Sequence, residues 1–190
     1  MISLSRRSFL GGVVGIGAWL AGRLTLAGEA VRTPVALQDI TLLDARSGKG
    51  LKLVSEIMGD KVVALNFIFT SCSMTCPLQS MALSKAQELL GLRMGHDVVF
   101  VSISLDPHTD TPARLTAFAD AHKAGSAWRF FTGDARLIAD LRKGFEAYDP
   151  RRDEHPPFIA IGRAQSPDWS RLYGLPDPTI IASEINAWLA

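Results

Sequence analysis

Cys72 and Cys76 are the only two cysteines in the 190-residue chain, and they stand together in 65-LNFIFTSCSMTCPLQSM-81. In a helix, residues four apart share a face, with Cβ atoms about 5–6 Å apart. A disulfide needs about 3.5–4.5 Å, so a small adjustment joins such a pair. The same proximity lets both sulfurs grip one soft metal ion. A strand end followed by a helix N-terminus favours thiolate, the form that either task requires. Three chemistries stay open on these residues: a stabilising disulfide, a redox pair and a metal clip. The first would close a very small loop, where a cross-link gains least.

Four histidines are available as a third group: His96, His108, His122 and His155. His96 and His122 read as surface residues. His108 lies in the loop 106-DPHTDTP-112, just past an apolar run. His155 lies in 153-DEHPPFIAIG-162, where two prolines restrict the backbone just ahead of another apolar run. Two thiolates and an imidazole make a soft, three-coordinate set. Thiolate selects Cu(I) and imidazole suits both copper states, whereas structural zinc takes four protein ligands. Met74 carries a thioether inside the motif, although a loop methionine is ordinarily just packed or exposed.

The elements that must position these groups follow from the apolar pattern. Residues 62–69 and 98–105 are nearly continuous apolar runs, as expected of central strands covered on both faces. Residues 77–90 have helical spacing, with Leu78, Met81, Ala82, Leu89 and Leu90 as the expected apolar face and Gly91 as the stop. Thr111-Pro112, Asp134 and Asp177-Pro178 are start signals for three further helices. Residues 128–132 read as a short strand, 158–162 and 169–174 as a hairpin, and 35–53 as two strands about the turn Ser47-Gly48-Lys49-Gly50. This alternation predicts an α/β sandwich with a partly parallel sheet. Working sites in such folds lie at the C-terminal ends of the parallel strands, and the cysteines follow one of those ends.

The first 30 residues differ in kind. Arg6 and Arg7 head a glycine-rich apolar run from Phe9 to Ala21, followed by small residues. That is the pattern of an export signal, and Ser5-Arg6-Arg7-Ser8-Phe9-Leu10 resembles the twin-arginine type. The other reading is an uncleaved membrane anchor, for which the run falls short of the ~20 apolar residues of a spanning helix. The chain therefore divides into 1–30, signal or anchor, and 31–190, one folded domain. Three of the 20 basic side chains, Arg6, Arg7 and Arg23, and no acidic one lie in residues 1–27, leaving 17 basic against 19 acidic side chains beyond them. So mild an acidic balance argues against a nucleic-acid partner. An exported domain works where cysteines are able to pair.

At this point the motifs resemble the Sco/SenC family, thioredoxin-like copper-binding proteins linked to respiratory oxidase assembly. Asn66 to Cys72, with Cys76-Pro77, is similar to the family's N-F-x-F-T-x-C-x-x-x-C-P block. Residues 102–119 resemble its S-x-D-P-x-x-D-T-P segment, and Trp128 to Gly133 its W-x-x-x-T-G segment. His155 stands where the family's ligand histidine stands, but Pro156-Pro157 follows it where the family often has Ser or Thr. The resemblance runs from about Pro34 to the C-terminus and marks a divergent branch. It implies a thioredoxin-like three-layer sandwich with a central mixed sheet and an N-terminal strand hairpin. It implies copper held by Cys72, Cys76 and His155, and delivery of that copper to a cytochrome c oxidase subunit. Asp106 and Asp110 match family positions and are expected to shape and cap their loop. The expected protein is thus a periplasmic or inner-membrane-anchored metallochaperone rather than an enzyme. Two other functions use the same sulfurs: a thiol–disulfide reductase in which Cys72 attacks, and a redox or copper sensor.

Overall fold

The computed structural model describes residues 30–145 and 157–190. Its centre is set by the two longest apolar strands, Val62–Ile68 (β4) and Val98–Ser104 (β5), paired in parallel from Val62 opposite Val98 to Ile68 opposite Ser104. Both faces of each are covered, which is why neither alternates apolar with polar residues. Trp128–Thr132 (β6) lies parallel beside β5. Phe158–Gly162 (β7) runs antiparallel beside β4, and Asp168–Tyr173 (β8) antiparallel beside β7. The hairpin Thr41–Asp44 (β2) and Gly50–Lys52 (β3) extends the β6 edge. Val31–Pro34 (β1) closes the other edge, giving the order β1-β8-β7-β4-β5-β6-β2-β3.

Helices Thr75–Leu90 (α1), Pro112–Ala121 (α2) and Pro178–Leu189 (α4) pack on one face of this sheet, through Leu83, Ala86, Leu115, Ala119, Ile181 and Ile185. Ala135–Gly144 (α3) and a helical turn at Leu53–Met58 cover the other, through Ile138, Leu141, Leu53 and Ile57. The result is the expected three-layer sandwich with a mixed sheet and a strand hairpin. The predicted start signals act as caps. The Thr111 hydroxyl accepts from the Arg114 amide, Asp134 from those of Arg136 and Leu137, and Asp177 from that of Thr179. Gly91 ends α1 at φ 52°, a conformation that side chains disfavour. Gly162 has a steric role: a Cβ there would lie 2.5 Å from the Trp169 ring.

The expected apolar face of α1 needs correction. Leu78, Met81 and Leu89 are 44%, 60% and 59% exposed. The buried residues of α1 are Cys76, Gln79, Ser80, Leu83, Ser84, Ala86 and Leu90. Of the three polar side chains among them, the largest, Gln79, is given a partner by the sheet, described below. Neither β1 nor the turn at 53–58 was expected. β1 is mostly exposed and has little apolar signal of its own, so its extended form is set by the free edge of β8. It begins opposite Arg171 and ends opposite Asp168. The chain therefore comes into the domain at the end of the sheet where β8 finishes and β7 begins. No helix among the described residues is long and apolar enough to cross a membrane.

Candidate functional site

The parallel strands β4 and β5 both finish at that same end of the sheet, and the cysteines follow β4 directly. After Ile68 the chain turns sharply, and the Cys72 amide donates back to the Phe69 carbonyl at 3.1 Å. Helix α1 starts at Thr75, two residues earlier than its periodicity suggests. Cys72 is therefore in the loop and Cys76 in the first turn, so the pair is not two steps along one helix. Closure of the loop brings the sulfurs together instead.

The first amides of a helix have no intrahelical acceptor. Here the Cys72 sulfur takes that role. The Cys76 amide donates to it at 3.3 Å, and the Met74 and Thr75 amides and the Cys76 thiol favour its charged form. Burial pushes the Cys72 thiol up, but these groups outweigh burial and hold it below the usual thiol value. Cys76 goes the other way. Burial pushes it up to about 12; the Phe69 backbone opposes this, while the Cys72 sulfur and the Asp110 carboxylate add to it. Both cysteines are free thiols, Cys72 half-buried and Cys76 buried. The pair is thus one accessible, readily ionised sulfur in contact with one buried, protonated sulfur.

Two polar devices fix the loop. Asp110 is fully buried and accepts from the Thr70 amide at 3.1 and 3.2 Å, the Thr70 hydroxyl at 2.5 Å and the Ser104 hydroxyl at 2.6 Å. It ties the start of the cysteine loop to the end of β5. Asp106 shapes the neighbouring turn, its side chain accepting from the Thr109 amide and its carbonyl from the Asp110 amide. The loop-shaping role expected of both is present, and for Asp110 it extends to the cysteine loop itself.

The second device is a buried chain across the sheet. The Trp128 indole donates to Ser102 (2.9 Å), Ser102 to Asn66 (2.7 Å), and Asn66 to Gln79 (2.8 Å), one turn past Cys76 in α1. Gln79 then donates to the Gly174 carbonyl at 3.5 Å, and the Gly174 amide to the Pro157 carbonyl at 2.7 Å. Sequence reading missed Gln79. The usable signal was a glutamine one helical turn from Cys76, with Asn66 in an otherwise apolar strand.

The histidines divide clearly. His96 is exposed beside Asp97 before the start of β5, at the opposite end of that strand from the cysteines. His122 follows α2, its Nδ1 2.8 Å from the Phe118 carbonyl and its ring against the Phe118 ring. His108 is exposed in the loop between β5 and α2. His155 lies outside the described residues, which resume at Pro157 at the cysteine end of the sheet. Among the described residues no group of three or more His, Cys, Asp or Glu side chains is placed to hold a metal ion. The described part of the site is the sulfur pair.

The chain has relatives among known proteins. The family model described as SCO1/SenC matches residues 44–164, from β2 through β7. A SCO1 protein homolog of Bacillus subtilis is 33% identical over 89 residues, covering 46% of this chain and 45% of that protein. The chain thus matches less than half the length of this relative. Among solved structures, BsSco, described as a member of the Sco family of cytochrome c oxidase assembly proteins with a disulfide switch, superposes with a TM-score of 0.68. It is 23% identical, with coverage of 83% of this chain and 95% of that one. Yeast Sco1 with copper bound gives 0.66 at 18% identity, covering 83% and 94%. These two likenesses establish the fold, and the family match spans both cysteines and the loop that holds them.

Proposed function

Because the chain belongs to the SCO1/SenC family, we propose that it is an exported copper-binding protein, a metallochaperone and assembly factor for the copper site of a respiratory cytochrome c oxidase subunit. The observation that carries this reading is the pairing of the two cysteines at the start of α1, where the Cys76 amide donates to the Cys72 sulfur at 3.3 Å and the Cys72 thiol is held below its usual value. Soft sulfur donors suit Cu(I). Cys72 and Cys76 bind it, and His155 completes the set and adds affinity for Cu(II). The fit rests on the donor chemistry and on the chain resuming after His155 at the cysteine end. Copper is here a cargo, so binding must be weak enough for a partner's sulfurs to take over. The place of work is the periplasm, free after removal of residues 1–30 or held to the inner membrane by them. Titration of the reduced full chain tests this. One equivalent of Cu(I) binds, Cys72→Ser or Cys76→Ser abolishes it, and His155→Ala removes Cu(II) binding while leaving most Cu(I) binding. A reduced wild type that takes up no copper refutes it.

The asymmetry of the thiols favours a second reading, a thiol–disulfide reductase. The Cys72 thiolate attacks a partner disulfide, forming a mixed disulfide and releasing one partner thiolate. Cys76 loses its proton to water, attacks Cys72, and releases the second, so the protein's pair is oxidised as the partner's is reduced. Reduction of a partner disulfide that persists in Cys72→Ser would exclude it.

A further inference from the structure

Met74 sits between the two cysteines and is 69% exposed, whereas Cys76 is 8% exposed and Cys72 intermediate. The three sulfurs therefore form a gradient from solvent to core. The Met74 backbone is held at the start of α1, because its carbonyl accepts from the Leu78 amide at 3.3 Å. Its side chain is free of the core, and an unbranched thioether with three rotatable bonds sweeps a wide arc about that fixed point. Its neighbours Ser73 and Thr75 offer only hard hydroxyls. The described histidines lie elsewhere or face solvent.

The exposed surface beside it is also apolar. Phe69 before the loop is exposed, and so are Leu78 and Met81 in the first turns of α1. A protein seated over the cysteines would bury Met74 together with them. The thioether thus stands where copper crosses from one protein to the other.

We propose that Met74 is the exchange ligand of the site, a thioether that takes Cu(I) from a donor, passes it inward to Cys72 and Cys76, and receives it again when an acceptor docks. This inference rests on the copper reading above. Each step exchanges one Cu–S bond for another, and copper stays Cu(I) throughout. Met74 binds without losing a proton. The thiol protons of Cys72 and Cys76 leave to water as their bonds to copper form, and return when those bonds break. A neutral thioether is the weaker donor, so copper is not retained on it at equilibrium. Its effect is on rate, by opening a three-coordinate path between two thiolate-bound states.

The test is Cu(I) removal from the loaded, reduced full chain by the colorimetric chelator bicinchoninate, followed by stopped flow, alongside equilibrium competition. Met74→Leu keeps the volume and removes the sulfur. It should slow removal about tenfold, equivalent to about 1.4 kcal/mol in the barrier, with equilibrium affinity unchanged within about threefold. Met74→His, which restores a copper-binding side chain, should recover most of the rate. Removal from Met74→Leu within twofold of wild type overturns the proposal, since a mere cover over the cysteines would be served equally by leucine. Failure of Met74→His to exceed Met74→Leu also overturns it. A wild type that binds no Cu(I) instead overturns the copper reading beneath it, so the two failures are distinct.

Discussion

Asp110 is the side chain whose replacement should most clearly separate architecture from chemistry. It is fully buried and receives the Thr70 amide, the Thr70 hydroxyl and the Ser104 hydroxyl. Asp110→Ala leaves all three donors without their acceptor. The two hydroxyls can rotate toward other groups, but the Thr70 amide cannot. Hydrogen bonds to a charged group contribute about 1.5–3 kcal/mol each, and some of this is offset because a carboxylate no longer has to be desolvated; a net loss of about 3–4 kcal/mol follows. Asp110→Asn keeps the shape and one acceptor oxygen for Thr70. Its amide now faces Ser104, whose oxygen already accepts from the Asp106 amide and can accept again, leaving only the serine proton unplaced. That variant should cost about 1–2 kcal/mol. It also removes a negative charge that opposes ionisation of Cys76, so the Cys76 thiol should titrate below its value of about 12. Urea denaturation of both variants in the reduced state, with thiol alkylation against pH on Asp110→Asn, measures both effects. An alanine variant destabilised by less than about 1 kcal/mol would show that the clamp is not made in solution. An asparagine variant with unchanged Cys76 reactivity would remove Asp110 from the electrostatics of the pair.

Other expectations are independent of that one. Alkylation of the reduced protein followed by mass spectrometry should modify Cys72 first, with a midpoint below 9.0, while Cys76 resists until the pH nears 12. Because the native state holds the Cys76 proton above the pH at which a free thiol loses it, its contribution to stability is complete below about 9 and lost as pH rises toward 12. Denaturation curves across that window should show the loss, and Cys76→Ala should remove it. Gly162→Ala places a methyl against the Trp169 ring and should cost about 1–3 kcal/mol by thermal or urea unfolding. Gln79→Leu leaves the buried Asn66 amide without its acceptor and should cost about 1–3 kcal/mol, with a changed near-ultraviolet signal from Trp128 at the far end of the chain.

Much of this fold is legible in the chain because its signals are local. Val62–Ile68 and Val98–Ser104 are apolar throughout, and Thr111, Asp134 and Asp177 mark helix starts that become caps. The α1 face was not legible by hydrophobicity. Leu78, Met81 and Leu89 lie on solvent while Gln79 and Ser80 lie inside, because Asn66 in the opposing strand decides which face can be buried. That contact joins residues far apart in sequence. The same holds for β1, whose strand form depends on β8. At the site, helical spacing was the wrong ground for expecting Cys72 and Cys76 together, since Cys72 precedes α1 and loop closure brings it to Cys76. Their inequality was not legible either, since it arises from where α1 begins and from a carboxylate brought in by another loop. His155, assigned by resemblance, lies outside the described residues.

The direction of β1 sets a leash on the site. The chain comes into the sheet beside Arg171 and Val31, at the end where the cysteines stand, and runs away from them toward Pro34. An anchor formed by the apolar run ending at Ala21 would be joined to Val31 through residues 22–30, which span about 30 Å at full stretch. Retained on a membrane in that way, the domain would hang with its sulfurs toward the bilayer and could not turn them far outward. Its working partners would then be those whose copper or disulfide sites lie close to the lipid surface, and cleavage of the leader would widen that choice.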